Sequence, residues 1–299
     1  MSESTPTEIS FGWLRELPSI KNYTTDTTEH AEIKPLLAKV HGAGAVSAPA
    51  SLAGSVDLRV WFPPIEDQLN LGSCTANAGV GLLEYYERRA FGKHIDASRL
   101  FLYKTTRNLL GWTGDTGAYL RSTLEALVLF GVPPEDHWKY DVSKFDDEPT
   151  AFLYAFASNY QAVKYYRLDP SGTTKAALLK AIKTNLAAGL PSFFGFTVYS
   201  SYTQANAANK GAIPFPTAVD KIVGGHAVVV AGYNDSLVIK NTNTGAVATT
   251  GAFLIRNSWG TGWGDGGYGW LPYEYVLKGL AVDWWTLISA EWIDTGKFG

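Results

Sequence analysis

Apolar and polar positions follow two different rhythms along this chain, helical in the first half and strand-like in the second. Just past Cys74, Ala76, Val80, Leu83 and Tyr86 fall on one side of a helical wheel, while Glu84, Glu87, Arg88 and Arg89 fall mostly elsewhere. With Gly92 as a stop, the spacing predicts a helix that begins at or near Cys74, with Cys74 on its first, exposed turn. Residues 97–110 repeat the rhythm with Leu100, Phe101, Tyr103 and Leu109. Residues 117–130 do so with Leu120, Leu124, Leu127 and Val128, and end at Gly131-Val132-Pro133-Pro134. Beyond Tyr160 the pattern changes. One more amphipathic helix is expected over 173–188, capped by Ser171 or Thr173 and stopped by Gly189 and Pro191. Then β-branched and aromatic runs at 193–198, 226–233, 253–257, 267–271 and 284–289 read as strands. Helices first and strands later predict an α+β fold. A helical left lobe spans about 56–160 and a strand-rich, barrel-like right lobe about 161–299, with a cleft between them.

Residues 1–55 stand apart as a leader and linker. Phe11, Trp13, Leu14 and Leu17 crowd the stretch 9–17, a Thr/Asp/Glu patch follows, and 34–40 has room for one or two helical turns. Residues 42–54 are rich in Ala, Gly, Ser and Pro and read as a flexible linker. The leader is either a disordered tail or a short prosegment. Its aromatic side chains need a surface, and the nearest apolar groove is the cleft. Residues 10–30 are therefore expected across or beside it, with 42–54 as the hinge.

Three polar residues stand where the pattern puts element ends. Cys74 is the single cysteine, and helix N-termini favour a thiolate over a thiol. Taken alone, a lone cysteine is more often a small buried apolar residue. His226 opens the apolar run 226–233, and Asn257 closes the run 253–257. A thiol, an imidazole and an amide so placed can converge as nucleophile, base and orienter.

Composition narrows the classes. A 46% apolar content with 18% charged residues supports a large core and excludes general disorder. A net charge of −3 without a basic block implies no nucleic-acid partner. One cysteine allows no intramolecular disulfide, so folding needs no oxidising compartment. The polar, acidic start lacks a signal-peptide pattern, and no apolar run is long enough to span a bilayer. Cytoplasmic residence is the default, with non-classical export equally compatible; a monomer without a membrane partner is expected.

Four blocks carry a resemblance: Gln68 with Gly72-Ser73-Cys74; Gly225-His226-Ala227; Asn257-Ser258-Trp259-Gly260; and Trp263-Gly264 with Gly267-Tyr268. In this order they resemble the papain family of cysteine peptidases, in a bacterial-type branch, from about Ser55 to Ser289. His226 lies 152 residues after Cys74, a little beyond the family's roughly 130–150, which implies loop insertions. The family's Cys-Gly-Ser-Cys-Trp-Ala-Phe has Leu71 at its first cysteine and Thr75-Ala76-Asn77 at its end, and the disulfide cysteines are absent. The family's long helical prosegment is not visible either, so an inhibitory leader here implies a different fold.

The resemblance implies the two-lobed papain-like fold and peptide hydrolysis through a thioester, without cofactor. It casts Cys74, His226 and Asn257 as the triad, Gln68 and the Cys74 N–H as oxyanion donors, and Trp259 with Trp263 as its shield. Gly114-Asp115-Thr116-Gly117-Ala118-Tyr119 aligns with Gly-Cys-Asn-Gly-Gly-Tyr, so Gly117 and Ala118 are expected to pair with an extended substrate backbone. Ala118 in place of the second glycine narrows that approach. Leu120, Gly195 and Ala227 then wall the pocket for the residue two before the cut. Asp283 falls at its base, where an acid would admit Arg or Lys beside apolar side chains, unless it is solvated or paired with a nearby base. Partners are thus protein or peptide substrates and the chain's own leader. Acyl transfer or deamidation by the same triad, or an idle peptide-binding protein, are the alternatives. Gly262–Gly267 spells G-x-G-x-x-G outside any strand–turn–helix context and reads as tight turns, and five scattered histidines offer no zinc spacing.

Overall fold

The computed structural model describes residues 9–18, 22, 24, 52–290 and 293–294. The helical turns expected at 34–40, most of the 42–54 hinge and most of 19–30 lie outside the described residues. Four helices dominate the first half: α1 Cys74–Phe91, α2 Arg99–Leu110, α3 Leu120–Leu129 and the short α4 Ala151–Ala157. Later come α5 Lys175–Ala187 and the single turn α6 Glu274–Leu277. Eight strands form one antiparallel sheet: β1 Ser55–Asp57, β2 Ala162–Arg167, β3 Ser192–Tyr199, β4 Ile222–Ile239, β5 Thr249–Arg256, β6 Tyr268–Pro272, β7 Ala281–Ala290 and β8 Ile293–Asp294. Their order is β2-β7-β3-β4-β5-β6, with β1 on β4 and β8 on β7. Among the described residues the outer strands β2 and β6 do not pair, so the sheet of the strand-rich lobe is open rather than closed into a barrel.

The sequence patterns find most of these elements but shorten the strands. β4 runs through eighteen residues because its β-branched core continues past Tyr233 into a hairpin with β5. β1 and β2 were not expected; both are short and lie beside longer neighbours, which supply the pairing their own sequences do not announce. α5 is capped by Thr174, whose side chain accepts the Ala177 N–H, and not by Ser171 or Thr173.

α1 is the element between the two lobes. It starts at Cys74 behind Ser73 and ends at Gly92, which takes the left-handed conformation and caps Arg88 O. From Cys74 to Glu87 every residue is buried, Glu84 and Glu87 included. Glu84 and Glu87 turn inward to accept the N–H groups of Ala97 and Ile95, at 2.9 and 2.8 Å, and so fasten the loop after the helix. Gly81 is glycine for a spatial reason. An added Cβ would lie 2.6 Å from the Arg256 guanidinium, which threads past α1 to donate to Pro64 O. That close approach brings the Cys74 helix onto β4 and β5, the strands of His226 and Asn257.

Candidate active site

Gln68, Cys74, His226 and Asn257 meet where the N-terminus of α1 faces β4. His226 Nε2 lies 2.8 Å from Asn257 Oδ1. The same amide oxygen accepts the Ser258 N–H at 2.8 Å, which fixes the amide plane. Trp259 stacks on the imidazole at 4.7 Å and 26°, and Trp263 stands edge-on to Trp259 at 5.3 Å. Trp259 thus covers one face of the imidazole, and the His226–Asn257 pair is itself buried. Among the described residues His226 Nδ1 is buried without a hydrogen-bond partner, so one ring nitrogen remains available. The Ala227 N–H, next in the chain to His226, lies against the Cys74 sulfur.

Gln68 is fully buried, and its amide is oriented from two sides. Ser258 Oγ donates to Oε1 at 2.6 Å, and Nε2 donates to Leu71 O at 3.0 Å. The second amide hydrogen bond goes to Ser10 O at 3.1 Å, a carbonyl of the leader. Ser258 thus touches both Gln68 and Asn257, a role that only the fold reveals.

The leader fills the cleft over residues 9–18. The Gly12 N–H lies against the Cys74 sulfur, and Phe11 packs edge-on against His226, Trp259 and Tyr202. Ala118 donates to Gly12 O at 2.8 Å and accepts the Leu14 N–H at 3.0 Å; Trp13 donates its N–H to Gly225 O at 3.1 Å. Bonding through residues 12 and 14 rather than both ways to 13 makes this a parallel bridge. No side chain larger than hydrogen fits at the crossing: an added Cβ on Gly12 would meet Gly72 O, and one on Gly117 would meet Gly12 O.

The Trp13 indole packs on Gly195 and reaches Asp283, two of the four residues expected to wall a substrate pocket. An added Cβ on Gly195 would lie 1.8 Å from the ring, and Gly195 pairs with Ala227 across β3 and β4. Leu120 is buried at the start of α3. Asp283 is at the base, and its Oδ2 accepts the Trp13 indole N–H at 3.3 Å. It is also paired with a base, as the alternative reading had it: Arg167 Nη2 lies 3.3 Å from its Oδ1, and the Trp285 indole donates to that oxygen at 2.7 Å. Further along, Glu16 meets Arg121 at 3.3 Å, and Arg167 donates to Glu16 O.

Burial under the leader sets the charges. Cys74 is not on an exposed turn; it is wholly buried, which pushes its thiol up from 9.0 to about 11 against the pull of neighbouring N–H groups. Burial likewise pushes His226 down from 6.5 to about 4, although the Asn257 bond works the other way. Covered, the two are a neutral thiol and a neutral imidazole. No group of three or more His, Cys, Asp or Glu able to hold a metal occurs among the described residues.

Residues 52–276 match the pattern described as papain family cysteine protease. An uncharacterized peptidase C1-like protein of Acanthamoeba polyphaga mimivirus is 35% identical over 225 residues, 74% of this chain and 68% of that protein. Cathepsin K of Gallus gallus is 28% identical over 216 residues, 70% of this chain but only 54% of its own length. The crystal structure of xylellain, a cysteine protease from Xylella fastidiosa, superposes with a TM-score of 0.69 at 30% identity, over 96% of this chain and 98% of that one. The chain belongs to the papain family of cysteine proteases.

Proposed function

We propose that the chain hydrolyses peptide bonds through Cys74, His226 and Asn257, and that residues 9–18 hold it inactive until they leave the cleft. Cys74 attacks the scissile carbonyl as a thiolate paired with the His226 imidazolium. His226 then protonates the leaving amine, Asn257 holds the ring, and water releases the thioester. Gln68 Nε2 and the Cys74 N–H receive the oxyanion, where one donor is typically worth about 10²–10³ in rate. The pocket filled by Trp13 takes a large apolar or aromatic side chain. Asp283 accepts a hydrogen bond there, and a basic side chain would have to compete with Arg167 for it.

The observation that carries the reading is the manner in which the leader is laid down. It places an N–H, that of Gly12, against the sulfur, and a nucleophile cannot attack an N–H. It also puts a leader carbonyl on the Gln68 amide and an indole in the pocket, so donor and pocket are both taken. A covered thiol near pKa 11 is not a nucleophile at neutral pH.

The test is alkylation of Cys74 by iodoacetamide, followed by intact mass, in the full chain and in its Trp13→Ala form. Losing the buried indole weakens the cover by roughly 2–3 kcal/mol, so alkylation and peptide hydrolysis should both rise by about 30-fold or more. Equal rates in the two chains would remove the inhibitory role of the leader. Faster alkylation without peptide hydrolysis would favour an idle triad.

A further inference from the structure

The turn that carries Gln68 is held in a strained shape. Leu69 sits at φ 54°, a left-handed conformation that a branched side chain rarely adopts. Two carboxylates hold the turn. Asp67 Oδ1 accepts the Leu69 N–H at 2.8 Å, and Asp115 accepts the Gly72 N–H with both oxygens, each at 3.0 Å. Asp115 comes from elsewhere in the chain, on the turn Gly114-Asp115-Thr116-Gly117 that forms the substrate wall. Its Oδ1 also accepts the Tyr103 hydroxyl at 2.5 Å, and that hydroxyl accepts the Gly117 N–H at 3.0 Å. One carboxylate thus links Gly72 to Gly117, and so the turn between Gln68 and Cys74 to the wall whose next residue, Ala118, bonds an extended backbone.

The anchor point is itself fixed. Asp146 Oδ2 accepts the Gly114 N–H at 2.7 Å, and Arg107 donates to Gly114 O at 2.5 Å while pairing with Asp146 at 2.6 Å. The Arg107 guanidinium also lies over the Tyr103 ring at 4.2 Å. The fit at Gly72 is close, since an added Cβ would stand 2.9 Å from Asp115 Oδ1. Leu71 and Asp115 are the two places in these turns where the family pattern has cysteine and this chain does not.

We propose that Asp115 is a positioning residue for the oxyanion donor: a carboxylate staple that locks the Gln68 turn to the substrate-binding wall in a chain with no disulfide to do it. The proposal rests on Gln68 serving as that donor. Asp115 touches neither sulfur nor substrate; it acts by keeping Gly72, and with it the Gln68 amide, in register with the wall. Without it the Gly72 N–H loses its partner, and the strained turn loses one of its two carboxylate holds.

The test uses the full chain carrying Phe11→Ala and Trp13→Ala, so that the cleft is open. There, Asp115→Ala should lower kcat by about tenfold, a fraction of what losing an oxyanion donor outright costs, with KM changed less than kcat. Asp115→Asn should restore most of the rate, because its amide oxygen accepts the same N–H. In a Gln68→Ala background, Asp115→Ala should cost less than about twofold, since residues acting through one group are not additive. An equal loss with and without Gln68, or no loss in kcat, overturns the proposal. Amide exchange reads the staple without turnover. In the otherwise unaltered full chain, Asp115→Ala should speed exchange of peptides covering 66–73 by at least about tenfold, and Asp115→Asn should not. Unchanged exchange overturns the proposal whether or not the chain hydrolyses peptides. If the open chain is inactive but exchange behaves as expected, the staple stands and the catalytic reading fails.

Discussion

Two of the buried clusters of ionisable groups handle burial in opposite ways. Around Asp283 two carboxylates are matched with one guanidinium and several N–H donors. Arg167 meets Asp169 at 2.8 Å and Asp283 at 3.3 Å, Asp169 accepts the N–H groups of Asp283 and Trp284, and Trp285 donates to Asp283. Even so, burial raises Asp283 to about 7, against the pull of Arg167 and the indole donors. Around Cys74 and His226 no opposite charge has been supplied, and burial drives both groups neutral. The first cluster is finished by folding. The second, on the proposed function, is completed by each other's charge only when the leader leaves.

The sharpest way to break this comparison is to remove the base. With the cleft opened by Phe11→Ala and Trp13→Ala, His226→Ala should lower peptide hydrolysis by about 10³-fold or more, as expected for loss of a base that also activates the nucleophile. A chain that keeps a tenth of its rate would show that the imidazole does not activate Cys74. The matched cluster should fail in stability instead. Arg167→Met strands two carboxylates, and unfolding in urea should show a loss of about 3–5 kcal/mol. A loss near zero would mean that the acids are held by their N–H donors alone.

A pH series sharpens the contrast. His226 stays neutral in the covered chain down to about pH 4, whereas the unfolded chain binds a proton below 6.5. The His226 contribution to stability should therefore fall as pH drops from 6.5 to 4, by about 3 kcal/mol at most and not further below 4, opposite in sign to the contribution of Asp283 over that range. His226→Gln should flatten that slope; identical slopes in the two chains would reject it. At the other end the unfolded thiol ionises first, so Cys74 contributes a loss of stability between about pH 9 and 11, and Cys74→Ser should lessen the alkaline fall while the buried tyrosines still contribute theirs above pH 10. The smallest effect is expected at Ser258. Replacing it by Ala frees the Gln68 amide to rotate but leaves Nε2 bonded to Leu71 O, so kcat should drop only about three- to tenfold. No change in kcat would mean that the Leu71 bond alone orients the amide.

Short-range pattern reveals much of the site because its residues lie at or near element ends. Cys74 opens α1, His226 stands four residues into β4, whose start at Ile222 the apolar run does not mark, and Asn257 directly follows β5 with its own tryptophan two residues on. The leader was legible for a related reason: Phe11 and Trp13 are too apolar for a free tail. The supports of the site were not legible, because they join residues far apart in sequence. Ser258 reaches Gln68 across 190 positions, and Asp115 reaches Gly72 across 43. Each of these residues lies in a local motif, but nothing in the sequence joins one block to the other. The same holds for Glu84 and Glu87, whose bonds to the N–H groups of Ala97 and Ile95 no helical periodicity announces.

The buried single thiol has one further consequence. Oxidants such as peroxide take the thiolate first, to sulfenic acid and then to forms that cells do not readily reverse. While the leader lies on Cys74 the sulfur is protonated and shut away, and with no second cysteine in the chain it has no internal partner with which to form a disulfide. On the proposed inhibitory reading, the segment that covers the thiol also preserves it, and the chain is released with its sulfur unspent. Once uncovered, the same sulfur has no resolving cysteine in its own chain to rescue it. The working life of the open form is then set by the surrounding oxidant as much as by its substrate.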